Sequence, residues 1–319
     1  MRTHTDSGRT VPHPHSIRRV VAGAACAIAL ALAPATARAL TIFACEPEWA
    51  ALARDLAPNA TIVAATHARQ DPHRIEARPA LIAALRRADL AVCTGASLEA
   101  DWLPMLQERA ANSRVATGGP GMFFAADAVE TIDVPSSLDR GMGDVHAQGN
   151  PHVHLDPERL AHIAEALAGR LASIDPDRAA EYEATNARWQ ADWATRMAGW
   201  RERVAPLAGR RIAVQHSTFE YLWRWTGLRP VVDIEPLPGM PPTPAHLRRV
   251  LDRVRAEPPF AVVQTLYQDP QPGRWLADRI ERPLLALPST VTPEGRSADL
   301  PGLFDELLDR LAGAAGDRP

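Results

Sequence analysis

The sequence contains no lysine, so all 35 of its basic residues are arginines, and 38 acidic residues leave a formal net charge of -3. A surface that binds a nucleic-acid duplex needs an excess of positive charge, so this balance argues against nucleic acid as a partner. Beyond the N-terminal region, no apolar run is long enough to cross a bilayer. We therefore expect a soluble, monomeric protein without a nucleic-acid partner.

Cysteine is also scarce, with three residues in the whole chain. Cys26 lies in the N-terminal apolar run, which leaves Cys45 and Cys93 for the folded protein. Both lie near the ends of strand-like runs, so a disulfide and a pair of buried free thiols are equally compatible with the pattern. Two isolated thiols lack the paired spacing of Cys-based zinc sites, which argues against such a site.

Residues 1–39 have the pattern of a secretory signal peptide. Arg18 and Arg19 precede an apolar run over residues 20–33, and residues 37–39 (Ala-Arg-Ala) give a small-x-small cleavage site. The apolar run is too short for a membrane anchor. We therefore predict export to the periplasm, and about 280 residues remain for the mature chain, which is enough for two domains.

Short apolar, β-branched runs alternate with helical patterns along the mature chain, which is typical of parallel sheets flanked by helices. Between two such regions lies a helical pattern of about 28 residues, which would be about 42 Å long and suits a rigid strut. The predicted fold class is therefore α/β, with two lobes, each a parallel β-sheet flanked by helices. The predicted boundaries are residues 40–175 for the N-terminal lobe, 176–206 for the linker helix and 207–319 for the C-terminal lobe.

Three histidines lie in loops where a strand or linker gives way to a helix: His73, His152 and His216. His73 follows Asp71-Pro72 and His152 follows Asn150-Pro151, so both share a pattern in which proline restrains the backbone ahead of the imidazole. Ligands of open α/β sheets bind at the carboxyl ends of the strands. We therefore expect the three imidazoles to converge on one cleft.

Four short sequence motifs, spread along nearly the whole mature chain, together form a recognisable pattern. They are Asp71-Pro72-His73 followed by Pro79; Ala88-Asp89-Leu90 to Gly95 followed by Leu98-Glu99; Asn150-Pro151-His152 followed by Leu155-Asp156-Pro157; and His216-Ser217 with Phe219, Tyr221 and Leu222, leading to Gly227-Leu228. Together they resemble the metal-binding solute-binding proteins of zinc and manganese ABC importers. The resemblance implies two α/β lobes joined by a rigid helix, with one metal ion in the cleft and His73, His152 and His216 as its ligands. It also implies a periplasmic protein that captures a divalent transition metal and delivers it to the membrane permease of an ABC importer.

The resemblance is incomplete at the fourth ligand. The family usually supplies a carboxylate from a loop after a late strand, but the corresponding residues 285–289 read Leu-Ala-Leu-Pro-Ser and contain no acid. Asp269, which follows another strand of the second lobe, is the favoured substitute, with Glu235, His146 or water as alternatives. The His-rich loop of many zinc-binding members is also reduced here to a short loop with His146.

The ligand type predicts the metal. Three neutral imidazoles with at most one carboxylate suit Zn²⁺ in near-tetrahedral geometry, whereas Mn²⁺ prefers more oxygen ligands. Zn²⁺ is therefore the first prediction for the transported ion and Mn²⁺ the second, while copper and nickel stay open because affinity alone favours copper. Imidazole ligands also predict weaker binding as the pH falls, because protons compete for them.

Two other functions fit parts of the sequence. His152-Val153-His154-Leu155-Asp156 matches the start of a metal-dependent hydrolase motif, but Pro157 stands where that motif needs another histidine, and G-x-S-x-G and H-E-x-x-H do not occur. A solute-binding protein for a metal chelate or an organic ligand could line its pocket with Trp223, Trp225 and Trp275, although their helical setting favours core packing. We therefore predict a binding protein, not an enzyme.

Overall fold

The computed structural model describes residues 1–10, 39–137, 143 and 145–316. Residues 1–10 carry no helix or strand, and residues 11–38, which hold most of the predicted signal peptide, lie outside the described residues. The fold begins at Ala39. Among the described residues, no helix combines the length and apolar character that a membrane crossing requires.

The N-terminal lobe contains a sheet of four parallel strands. They are β1 (Thr41–Ala44), β2 (Thr61–Ala64), β3 (Leu90–Cys93) and β4 (Met122–Phe124), in the spatial order β2-β1-β3-β4. Its helices are α1 (Pro47–Leu56), α2 (Pro79–Arg87), α3 (Leu103–Ala110) and α4 (Pro157–Ile174). Each helix has proline in its first turn, where the missing N–H costs no helical hydrogen bond. All four residues of β3 are buried, as expected for a parallel strand covered on both faces.

One long helix, α5 (Ala179–Val204), follows and joins the lobes. It has 26 residues, so it is about 39 Å long at 1.5 Å per residue. Short 3-10 turns flank it at Pro176–Arg178 and Ala205–Leu207. The prediction of a long linker helix is therefore confirmed.

The C-terminal lobe repeats the architecture with a second sheet of four parallel strands. They are β5 (Arg211–Val214), β6 (Arg229–Asp233), β7 (Val262–Thr265) and β8 (Leu284–Leu287), in the order β6-β5-β7-β8. Its helices are α6 (Glu220–Thr226), α7 (Pro244–Ala256), α8 (Pro270–Ile280) and α9 (Leu300–Gly316). The predicted α/β fold of two parallel sheets is thus confirmed.

The hydrophobic core continues through both lobes by way of α5. Trp193 and Trp200 of α5 are each 2% exposed, and their ring centroids lie 5.5 and 5.0 Å from that of Phe304 on α9. One cluster of buried apolar side chains includes residues of both sheets, α4, α5 and α9. Because separating the lobes would expose this shared surface to water, the core disfavours a large rotation between them.

A disulfide between Cys45 and Cys93 links the carboxyl ends of β1 and β3. The two strands are neighbours in the sheet, and the Cα atoms of the two cysteines are 4.8 Å apart. Of the two states that the sequence left open, the structure therefore has the disulfide.

Candidate metal centre

Three buried imidazoles from separate segments meet at one point. They belong to His73, in the loop between β2 and α2, to His152, at the start of the 3-10 turn Val153–Leu155 ahead of α4, and to His216, two residues beyond β5. One ring nitrogen from each lies within 4.8 Å of the other two, and the residues are only 8%, 4% and 6% exposed. The structure therefore brings together all three predicted histidines, two from one lobe and one from the other.

The three rings meet at steep angles. Their centroids are 6.0 Å apart for His73 and His152, 6.1 Å for His73 and His216, and 6.4 Å for His152 and His216, with interplanar angles of 77°, 84° and 76°. No two of these rings are stacked, so each can turn one nitrogen toward a shared centre.

In two of these rings, Nδ1, on the far side from the centre, is in contact with a carboxylate. Nδ1 of His73 lies 2.7 Å from Oδ1 of Asp71, and Nδ1 of His216 lies 2.9 Å from Oε2 of Glu235. A carboxylate on Nδ1 keeps the proton there, which leaves Nε2 with its lone pair for a metal ion. Burial raises the pKa of Asp71, but the hydrogen bond and charge of His73 leave it lower than usual.

The third imidazole is held in its neutral form. Burial, followed by the charges of His73 and His154, moves the pKa of His152 well below its ordinary value. Its Nε2 atom is buried and has no hydrogen-bond partner among the described residues. A buried nitrogen without a partner is costly in an apo protein, and a metal ion at the centre would satisfy it.

The backbone N–H of each histidine donates a hydrogen bond to the side-chain oxygen of a nearby residue. The backbone N–H of His73 donates to Oδ1 of Asp71, that of His152 to Oδ1 of Asn150, and that of His216 to Oδ1 of Asp233, each over 3.0 Å. The hydrogen bonds from His73 and His152 close Asx turns within the two Asx-Pro-His segments. Left-handed backbone at His216, with φ of 70°, turns the third ring toward the same centre.

Residues 42–314 match the model of the family described as ZnuA, zinc-uptake complex component A, periplasmic. The chain belongs to the ZnuA family. The family assignment confirms the predicted resemblance to metal-binding solute-binding proteins of ABC importers. It also places the chain among components of metal transport.

Curated relatives of this family member include the zinc-binding lipoprotein AdcA of two Streptococcus pneumoniae strains, R6 and TIGR4. Each is 24% identical to the chain over 188 residues, which is 58% of the chain and 36% of the relative. The chain therefore spans little more than a third of the length of these relatives.

Solved structures of similar proteins share the fold. A crystal structure of ZnuA has a TM-score of 0.73 at 22% identity and covers 87% of this chain and 99% of its own. A zinc-bound ZnuA deletion mutant gives a TM-score of 0.74 at 22% identity, over 88% and 100% of the two chains. A manganese-bound periplasmic metal-binding protein from Candidatus Liberibacter asiaticus gives 0.70 at 17% identity, over 86% and 99%.

The structure does not bring the favoured fourth ligand, Asp269, to the three imidazoles. Its side chain is exposed and caps α8, where it accepts a hydrogen bond from the backbone N–H of Gln271. Glu235 lies beside His216 on the far side of its ring, where its carboxylate accepts hydrogen bonds from Nδ1 of His216 and from the N–H of Gly239. Of the alternatives, His146 comes nearest, with its Nε2 3.2 Å from Nε2 of His73 and the two rings stacked at 5.2 Å.

The segment 150–154, which carries His152, is fastened to the second lobe on both sides of that residue. Ahead of it, Nδ2 of Asn150 donates to the carbonyl of Ser217 over 2.9 Å, and the Tyr221 hydroxyl donates to the carbonyl of Asn150 over 2.8 Å. Behind it, Nε2 of His154 lies 2.7 Å from the carbonyl of Ser289. We name residues 150–154 the interlobe strap. It ties one candidate ligand to the lobe that carries another.

Several residues at the centre were missed by the sequence reasoning. Asp71 and Asn150 stand in the Asx-Pro-His segments, where only the proline was interpreted, although an Asx side chain two residues ahead is a known turn signal. Asp233 ends β6 and carried no comparable signal. The tryptophans proposed to line an organic-ligand pocket pack elsewhere: Trp223 is buried in the main core, and Trp225 and Trp275 pack against core clusters.

Proposed function

We propose that this protein captures one zinc ion in the periplasm with His73, His152 and His216 and delivers it to the membrane permease of an ABC importer. The observation that carries the proposal is the convergence of three buried imidazole nitrogens within 4.8 Å, one of them without a partner. Membership of a family of zinc-uptake components supports it. The ion is cargo, so the protein's task is to hold it selectively and to release it.

The donor set supports zinc over manganese. All three converging side chains offer nitrogen, and the carboxylates nearby are engaged with Nδ1 of two of the rings. Manganese favours oxygen, whereas imidazole suits zinc. Copper would also bind nitrogen strongly, so competition between zinc, copper and manganese is the measurement that tests this choice.

We further propose His146 as the fourth ligand. In a tetrahedral zinc site with Zn–N bonds of about 2.0–2.1 Å, two ligating nitrogens lie about 3.3–3.4 Å apart. The 3.2 Å between the Nε2 atoms of His146 and His73 is close to that spacing. Gly143, three residues before His146, also lies against the second lobe, since a Cβ there would clash with the carbonyl of Pro238.

The domain organisation is part of the proposal. We assign residues 40–175 and 207–319 to the two lobes, with the linker helix over 176–206, and residues 1–39 to a cleaved signal peptide. The shared core and the interlobe strap support release by small shifts of a lobe or loop, since a large rotation would break both.

Metal binding by the purified mature chain tests the site. We expect one zinc per chain, and His73→Ala, His152→Ala and His216→Ala should each weaken binding by more than about 100-fold, because changes outside the ligand set already cost about 10–100-fold. His246→Ala is the matched control, since His246 lies in the first turn of α7. Wild-type affinity in all three variants would refute the site.

Delivery is tested separately in cells. A strain that lacks this gene but keeps its permease should grow poorly under zinc limitation, and the wild-type gene should restore growth while the His152→Ala gene should not. Equal restoration by both genes would show that zinc binding at this centre is unrelated to uptake.

A further inference from the structure

A second group of metal-ligand side chains lies at the ends of β1 and β3, apart from the three imidazoles. Cys45, Cys93 and Glu99 are fully or almost fully buried, and each offers an atom within 4.8 Å of the other two. In sequence the cysteines are 48 residues apart. The sheet supplies the pairing that the sequence lacks, because it places both residues on neighbouring strands.

A second buried carboxyl group, that of Glu46, lies next to Glu99. Glu46 follows Cys45 directly, and its carboxyl group is close enough to that of Glu99 for the charges of the two acids to interact. One of its oxygens accepts from the Thr94 hydroxyl over 3.0 Å, whereas the other, Oε1, is buried and has no hydrogen-bond partner among the described residues. An unpartnered carboxylate oxygen in a dry interior indicates a position for a cation or a proton.

The backbone is shaped to hold Glu99 in this place. Its carboxylate accepts hydrogen bonds from the N–H groups of Thr94, over 2.6 Å, and Gly95, over 3.0 Å. Gly95, Ala96 and Ser97 all adopt left-handed backbone, with φ of 77°, 47° and 69°. Two consecutive non-glycine residues in that region are strained, and such strain persists where the surroundings enforce it.

The pair of acids has no cationic partner in the part of the chain that the structure describes. Burial, and after it the charges of Glu99 and Glu48, raise the pKa of Glu46 well above its usual value, and burial raises the pKa of Glu99 to about 7. Burying two carboxyl groups side by side is costly, and packing of the disulfide does not require it. A bound cation would offset that cost.

We propose that the Cys45–Cys93 disulfide masks a second metal site, which reduction opens for one zinc ion with the two thiolates, Glu99 and Glu46 as ligands. A dithiol reductant transfers two electrons and two protons, so that the S–S bond breaks, two thiols form and the dithiol becomes a disulfide. Zinc then forms two Zn–S bonds and displaces both thiol protons to solvent, together with any proton bound to the two carboxyl groups. The resulting two-sulfur, two-oxygen set is a tetrahedral zinc donor set.

One of the proposed ligands, Glu99, faces a cavity on the N-terminal lobe. Glu99 and Gly95 line an open cavity of about 420 Å³ that does not include the three imidazoles. The proposed site shares no ligand with the imidazole centre, although Glu46 also lines a small cavity with His152 and His154.

The test counts metal in the oxidised and the reduced mature protein, with cobalt(II) as the probe because thiolate–cobalt complexes have a characteristic near-ultraviolet absorption. The oxidised protein should bind one cobalt without that absorption. After reduction by a phosphine, and with two free thiols verified by titration, it should bind two and show the absorption. His152→Ala should lose the first ion and keep the thiolate absorption, which separates this inference from the proposed function.

Variants define the ligands. In the reduced protein, Glu99→Gln and Glu46→Gln should each lower the affinity for the second cobalt ion by about tenfold or more, as expected when a charged oxygen ligand becomes neutral. The double variant Cys45→Ser, Cys93→Ser should lose the second ion and keep the first.

Three results would overturn the proposal. One is a folded, reduced protein that binds a single cobalt without thiolate absorption. Another is unchanged affinity in both glutamine variants. Should reduction unfold the chain, added zinc is expected to restore the far-ultraviolet circular dichroism of the fold, and failure to restore it is the third.

Discussion

Replacement of Glu235 by glutamine isolates the contribution of a carboxylate that does not itself bind the ion. Glu235 accepts the proton of His216 Nδ1 at 2.9 Å, and the two side chains are only 10% and 7% exposed. Glutamine keeps the size of the side chain and can still accept this hydrogen bond, but it removes the charge. We therefore expect Glu235→Gln to fold normally and to bind zinc more weakly.

The size of the effect follows from the environment of the pair. Loss of such an outer carboxylate typically costs about 10–100-fold in metal affinity, or about 1.4–2.7 kcal/mol. Asp71 has the same contact with His73, but its side chain is 40% exposed, so water screens its charge. Asp71→Asn should therefore cost less than Glu235→Gln, at or below the lower end of this range.

The pH dependence separates the charge effect from a loss of shape. Burial alone lowers the pKa of His216, but the hydrogen bond and charge of Glu235 raise it above the ordinary value. Without the charge, His216 binds a proton less readily, so protons compete with zinc less at low pH. Chelator competition between about pH 8 and 6 should show the ratio of variant to wild-type Kd falling as the pH falls. A ratio that stays constant, or equal affinities throughout, would refute the reasoning.

Four further outcomes follow from the same geometry. Zinc affinity of the wild-type protein should decline between pH 7.5 and pH 5, with an onset above the ordinary imidazole pKa because that of His216 is raised; chelator competition measures it. His146→Ala should lower zinc affinity by only about tenfold, because water can replace this ligand. Most of the loss should be a faster dissociation rate, which stopped-flow experiments measure. Zinc at 100 times its Kd should add about 2.7 kcal/mol to the free energy of unfolding, and His152→Ala should abolish this gain in denaturant titrations. Asp269→Ala should leave zinc affinity unchanged while it lowers the unfolding free energy by about 0.5–2 kcal/mol, because the α8 cap is lost.

The architecture could be predicted from the sequence because helices and strands leave a local periodicity of apolar residues. The alternation of strands and helices predicted two parallel sheets, and an uninterrupted helical pattern predicted α5, whose Trp193 and Trp200 then proved to be part of the shared core. The convergence of His73, His152 and His216 was also predictable, because all three stand where an element ends and such ends meet in α/β folds.

The fourth position was not predictable in the same way. Asp269-Pro270 has the same cap-and-proline pattern as Asp156-Pro157, and both aspartates cap helices in the structure. The roles of Glu235 and His146, in contrast, depend on long-range contacts between loops. Local pattern carries no information about which loops meet, and the pairing of Cys45 with Cys93 depends on sheet order for the same reason.

The arrangement of the three proposed ligands offers a route for release of zinc without a large rotation of the lobes. His73 and His152 are each held by a turn within their own loop, and the interlobe strap also ties His152 to the second lobe. His216 moves with the second lobe, and its ring is aimed by Glu235, which begins the proline-rich loop that exposes Leu237 and Met240. A permease that contacts that loop would act on Glu235 first. We infer that release begins with a turn of the His216 ring away from the centre, since loss of its contact with Glu235 removes one ligand while the turns at Asp71 and Asn150 keep His73 and His152 in position.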